Sequence, residues 1–159
     1  MSKKGFIFFG LAAALFIGAT IYKNLKQTFD NLKYRFTGLK FNFSKSLESG
    51  LSNLFFTINL VLTNDYATTI IIHSLEFDVF FNGRKIATIS EDAGVNILPK
   101  QTTINILNVD VLTNSLPSSI QYALKNLINQ NTKFSFTFDG TVTTNFGTIP
   151  IKQTLKIGS

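Results

Sequence analysis

The chain has one histidine and no cysteine. His73 stands in "TTIIIHSLEFDVFFNGRKIATI", residues 68–89, with Glu76 and Asp78 three and five residues further on. An imidazole near two carboxylates is the raw material of general acid–base catalysis or of a metal site. Along a β-strand, however, successive side chains point to opposite faces, and three and five are odd steps. Both acids therefore fall on the face opposite His73 unless a bulge intervenes. His73 shares the phase of Leu75 and Phe77, so it faces inward or sits at a bulge, and it is expected to be structural.

Two acidic stretches offer hard oxygen ligands of the kind calcium takes. "SEDAGVN" supplies Glu91, Asp92 and Asn96, and "TNDY" supplies Asn64 and Asp65. Neither has the spacing of an EF-hand loop, and both are expected to be solvated turns. "GFIFFG" lacks the Lys-Ser/Thr ending of a phosphate loop. Missing cysteines exclude thiol catalysis, disulfides and Cys-zinc sites. The expectation is no catalytic residue, no metal ligand and no cofactor, hence not an enzyme.

The elements around these residues are strands. "FFTINLVLTN" alternates Ile58, Leu60 and Leu62 with Thr57, Asn59 and Thr63. "GLKFNFS" alternates Leu39, Phe41 and Phe43, "SLEFDVFFNG" alternates Leu75, Phe77, Val79 and Phe81, and "TKFSFTFDGTVTT" alternates Phe134, Phe136 and Phe138. "TIPIKQTLKI" puts Ile149, Ile151, Leu155 and Ile157 on one face, with Gln153 as the polar exception. Such alternation marks half-buried antiparallel strands. Asn82-Gly83 suits a type I′ hairpin, Asn145-Phe146-Gly147 a short hairpin loop, and Pro150, near the start of a strand, an edge or entry position. In "LPSSIQYALKNLINQN", Ile120, Leu124, Leu127 and Ile128 form an apolar stripe, which predicts one helix over 117–129. The expected fold class is all-β, an immunoglobulin- or fibronectin-III-like sandwich of about seven antiparallel strands with one short helix.

Composition supports a packed domain: 45% of the 159 residues are hydrophobic, 17 are Phe, and 15% are charged. The formal net charge of +6 is unevenly placed. Residues 1–45 carry eight Lys/Arg against Asp30 alone, and residues 46–159 carry seven against eight acids. A near-neutral β domain without a basic–aromatic cluster is not expected to bind nucleic acid.

The basic excess flanks the most apolar segment. Gly5 to Tyr22 is 18 residues without a charge, bounded by Lys3-Lys4 and Lys23. As a helix it would span roughly 27 Å, close to the hydrocarbon thickness of a bilayer. Gly5, Phe6, Ile7, Phe8, Phe9, Leu11, Leu15, Phe16, Ile17, Ile21 and Tyr22 are the expected membrane-anchor residues. Lys3, Lys4, Lys23, Lys26 and Lys33 are expected at the lipid surface. The small-residue cleavage site of a signal peptide is missing from "GATIYKNLK". Leu25, Phe29, Leu32 and Phe36 recur at helical spacing, which predicts a basic amphipathic stalk over 23–36. The expected organisation is a transmembrane anchor over 1–22, this stalk, and a β-sandwich over 37–159.

The order of these patterns resembles the late embryogenesis abundant type 2 family (LEA14-like, or WHy, domains). "NLFFTINLVLTNDYATTIIIHSLEFDVFFNGRKIATI" resembles its core, "VNILPKQTTINILNVDV" its Ile-Pro and alternating Thr/Val stretch, and "KFSFTFDGTVTTNFGTIPIKQTLKI" its closing hairpin around Gly140. The chain departs from the family in having Asn64-Asp65 where Asn-Pro is common. The resemblance spans roughly residues 34–158 and implies a sandwich without catalytic apparatus, linked to stress protection, envelope function or binding. The leading expectation is a non-enzymatic protein, anchored in the cell envelope by a single N-terminal pass, that presents a sandwich to other proteins. The alternatives are a virion protein joining a capsid shell to an internal membrane, and a desiccation-protective protein of the family type. The expected partners are the lipid bilayer and other proteins at the membrane or in a capsid assembly.

Overall fold

The structure, a computed structural model, describes residue 26 and residues 30–126 and 133–157. Seven strands form two antiparallel sheets: β1 (Leu32–Phe41), β2 (Asn53–Asn64), β3 (Ile70–Phe81), β4 (Arg84–Ile97), β5 (Thr102–Leu112), β6 (Phe134–Thr144) and β7 (Gly147–Ile157). One sheet has the order β1-β2-β5 and the other β4-β3-β6-β7. In the constant-type immunoglobulin order the fourth strand joins the first sheet; here β4 joins the second, beside β3.

Alternation places the core. Every second residue of β2 from Leu54 to Asn64 is buried, and Leu75, Phe77, Val79 and Phe81 of β3 are buried against them. Phenylalanine dominates the middle. Phe36 stacks on Phe138 at 4.4 Å and meets Phe77 edge-on at 5.3 Å, and Phe136 lies 5.2 Å from Phe81 and 5.7 Å from Phe56. Each such pair adds about 0.5–1.5 kcal/mol beyond the area it buries.

The turns follow their residues. Asn82 and Gly83 both have positive φ, 46° and 83°, as a type I′ hairpin requires. Pro150 lies on β7, an edge strand, where its missing N–H costs no ladder bond.

Several expectations are corrected. The expected stalk over 23–36 is not helical to its end: Lys26, Asp30 and Asn31 are helical, but β1 begins at Leu32, so the sandwich starts before residue 37. Leu32 and Phe36 are buried on the inner face of a strand, with Tyr34 packed between them. A four-residue step fits a strand of period 2 as well as a helix, and burial against β2 decides it. Leu25 and Phe29 lie outside the described residues.

A second short helix, α1 (Phe43–Glu48), stands where Phe43 was expected to extend a strand. Asn42 caps it by accepting from the Lys45 N–H at 3.2 Å, and the buried Ser46 hydroxyl donates to the Asn42 carbonyl and accepts from Phe55 N–H. The expected helix over 117–129 is α2 (Ser118–Lys125), which buries Leu124; Leu127 and Ile128 lie outside the described residues. The "SEDAGVN" stretch is not a turn. It lies within β4, whose register shifts against β3 beside Gly94, φ 54°.

Among the described residues no helix is long and apolar enough to cross a membrane. The expected anchor residues Gly5, Phe6, Ile7, Phe8, Phe9, Leu11, Leu15, Phe16, Ile17, Ile21 and Tyr22, with Lys3, Lys4 and Lys23, lie outside the described residues.

Topology gives the sandwich two distinct ends. At one end lie the start of β1, the β2–β3 and β4–β5 loops and the β6–β7 turn, tied by bonds such as Lys100 N–H to the Asn64 carbonyl and Asn145 N–H to the Ile71 carbonyl. This is where the chain enters from its N-terminal segment. Both short helices, the Asn82-Gly83 turn and the end of β7 lie at the other.

Candidate binding surfaces

His73 is exposed on β3 at a register shift between Ile72 and Ser74. Ile72 and Leu75 are both buried although three residues apart, so the irregularity absorbs one residue and turns the imidazole to solvent. Of the two expected placements of His73, inward or at a bulge, the structure takes the bulge. Glu76 still lies about 10 Å along the strand. No group of three His, Cys, Asp or Glu side chains able to hold a metal ion occurs among the described residues.

Asn64 is a loop organiser. It is buried, its amide donates to the carbonyls of Thr68 and Ile97 at 2.9 Å each, and its Oδ1 accepts from Tyr66 N–H at 2.8 Å. Its side-chain amide is thus committed to holding the β2–β3 loop against the end of β4. Asp65 beside it pairs with the exposed Lys33. The hydrogen bond from Lys33 holds the Asp65 carboxyl below the usual carboxylate range.

The outer face of the four-stranded sheet carries a shallow depression of about 470 Å³ lined by Glu76, Asp78, Thr88, Ser90, Asp139 and Thr141, with Phe77 and Gly140 in its floor. Gly140 lets β6 approach β3: a Cβ there would lie 1.9 Å from the Glu76 carbonyl oxygen and 2.7 Å from Phe77 Cα. Asp78 and Asp139 stand directly opposite each other, an unfavourable cross-strand pair unless compensated. Lys85 compensates the first at 2.7 Å and Lys152 the second at 2.5 Å, one from each flanking strand. Thr88 also donates to Asp78, at 2.9 Å. The Lys85 hydrogen bond, outweighing partial desolvation, holds Asp78 below the usual carboxylate range. The face is therefore neutralised from within. It offers hydroxyls and Glu76, but no nucleophile held against a base.

The outer face of the three-stranded sheet differs. Three successive cross-strand rows, Arg35–Val61–Ile104, Thr37–Asn59–Ile106 and Lys40–Thr57–Asn108, contain no carboxylate; the next row, Phe55–Asp110, carries one. Ile104 and Ile106 are 60% and 59% exposed, unusual for large aliphatic side chains on a sheet. Leu112, at the far end of the same face, is 64% exposed, and Leu98, in the β4–β5 loop, 48%. Sequence patterning held a signal for this. Leu107, Val109 and Val111 are buried on odd positions, and Ile104 and Ile106 are apolar on even ones. A second polar surprise is explained at the opposite edge. Gln153, the exception on the inner face of β7, accepts from Phe36 N–H at 2.8 Å and donates to its carbonyl at 3.3 Å. Together with the Tyr34 hydroxyl, which donates to the Lys152 carbonyl and accepts from its N–H, it clasps β1 to β7 across the two sheets.

Comparison with known proteins agrees with the fold. The family model described as "Late embryogenesis abundant protein" matches residues 59–155. An Arabidopsis thaliana protein solved in solution superposes with a TM-score of 0.53 at 19% identity, covering 77% of this chain and 78% of its own. A protein titled as late embryogenesis abundant, At2g46140.1, gives 0.49 at 16% identity over 93% and 87% of the two chains. A protein from Archaeoglobus fulgidus gives 0.49 at 13% identity over 79% and 90%. No curated protein matches the chain.

Proposed function

Because the chain belongs to the late embryogenesis abundant family, LEA_2, we propose that it is a non-enzymatic protective protein of that type, acting under water stress. The observation that carries this reading is the family match from the middle of β2 into β7, over a two-sheet β fold. Among the described residues, buried side-chain polar atoms all have partners. That is the condition of a stable scaffold. The test is drying and rehydration of dye-loaded vesicles carrying the full-length protein. Retention above that of bare vesicles is expected, and equal leakage rejects the protective role.

A second reading concerns where the domain sits. The uncharged run from Gly5 to Tyr22 between lysines favours a membrane tether that presents the sandwich to other proteins. Resistance of the full chain to alkaline extraction from membranes, lost on deletion of residues 1–22, is the expected result. Unchanged membrane association of the deleted form rejects it. The capsid-linking alternative has no observation behind it in the fold or the comparisons.

A further inference from the structure

We infer that the outer face of the three-stranded sheet lies on an anionic lipid surface, with Arg35 and Lys40 at the headgroups and Val61, Ile104, Ile106 and Leu98 against the acyl boundary. The inference rests on the membrane-tether reading above and adds the orientation of the domain.

The first ground is reach. Between Lys23, which closes the apolar run, and Leu32, where β1 begins, only residues 24–31 intervene. Eight residues span roughly 12 Å as helix and at most about 27 Å extended. The domain therefore cannot leave the neighbourhood of the headgroups. The rows holding Arg35–Val61–Ile104 and Thr37–Asn59–Ile106 follow the Lys33 row by two and four residues, so they lie roughly 7 and 13 Å from it. Leu98 is in a loop at that same entry end.

The second ground is charge. Across the three rows nearest the entry end after Lys33, basic residues lie on β1 and Ile104 and Ile106 on β5, with no carboxylate; Asp110 follows one row further on. Neither Arg35 nor Lys40 takes part in an ion pair among the described residues. Lys33 sits at the margin and is held by Asp65. Cationic groups beside exposed aliphatic side chains are what an interfacial surface presents to anionic lipid, electrostatic attraction and apolar burial adding together. The other outer face differs at its centre, where Lys85 and Lys152 are engaged with Asp78 and Asp139.

The chain lacks cysteine, so single substitutions give unique labelling sites. Full-length Ile106→Cys and Ser90→Cys, one on each outer face, are labelled with an environment-sensitive fluorophore and reconstituted into vesicles of phosphatidylglycerol and phosphatidylcholine. Nitroxide carried on the lipid is expected to quench the Ile106 label severalfold more than the Ser90 label. The difference should shrink in pure phosphatidylcholine, and in an Arg35→Glu/Lys40→Glu variant whose circular dichroism matches the parent. Equal quenching at both positions in protein that floats with the vesicles overturns the orientation and leaves the tether standing. Protein that fails to float overturns both. Shielding of the Ile106 label without lipid, rising with protein concentration, also overturns it by identifying a second copy as the occupant.

Discussion

The two outer faces come from strands of one sandwich and share its alternation, yet they solve the exposure of a sheet differently. The four-stranded face sets two aspartates against each other and supplies a lysine to each from the neighbouring strand. Its remaining positions are largely threonines, two pairs of which bond across strands, Thr137–Thr154 at 2.8 Å and Thr143–Thr148 at 3.3 Å. The three-stranded face leaves Arg35 and Lys40 on β1 without an ion pair among the described residues and its isoleucines on β5 exposed. A face whose charges are satisfied internally needs nothing from outside. A face with separated cations and aliphatics gains from a partner that supplies both anions and apolar contact.

Substitutions can break or sharpen this contrast. The largest effect is expected at Gly140→Val, on the self-satisfied side. Its Cβ would meet backbone at 1.9 Å, so β3 and β6 must separate. A loss of about 3 kcal/mol or more, or failure to fold cooperatively, is expected in urea unfolding.

Next is Gln153→Leu, which tests whether the two sheets depend on the β1–β7 clasp. The buried Phe36 would lose the acceptor for its N–H, at an expected cost of about 1–3 kcal/mol in the same assay.

Lys85→Met should cost only a few tenths of a kcal/mol, because the Asp78 pair is solvent-screened. Its signature is in pH. The Asp78 carboxyl is held below its usual value in the folded state. Its contribution is therefore present above the usual carboxylate pKa and lost as pH falls through the lower folded value. Thermal melts of the parent should lose stability on acidification below about pH 4, and Lys85→Met should show a shallower decline.

The smallest effect is expected from Ile104→Ser/Ile106→Ser, within about 0.5 kcal/mol of the parent. A large loss would mean that these isoleucines are structural and that the two faces differ less than their exposure indicates.

Much of the sandwich was legible in sequence because period-2 alternation and turn residues are local signals. The β2 and β3 cores, the Asn82-Gly83 turn and the edge position of Pro150 all follow from them. What failed involved competition between periods or between strands. Leu32 and Phe36 fitted both a helix and a strand, and only packing against β2 distinguishes the two. The irregularity at His73 is a matter of register between strands, which no single strand's sequence displays. The faces were harder still. Which side chains share a row depends on pairing, so neither the Asp78–Asp139 opposition nor the β1–β5 division of charge and aliphatic character could be read before the register was known.

The clasp of Gln153 and Tyr34 has a mechanical consequence. The strand it holds, β1, starts at the end where the chain enters, and β7 finishes at the opposite end. Tension between those ends runs along the strands rather than across them. It would load the β1–β2 ladder and the side-chain bridges to β7 in shear, many bonds at once, instead of peeling them singly. A domain so arranged resists extension along its strands, and one glutamine side chain helps keep its two layers from sliding apart.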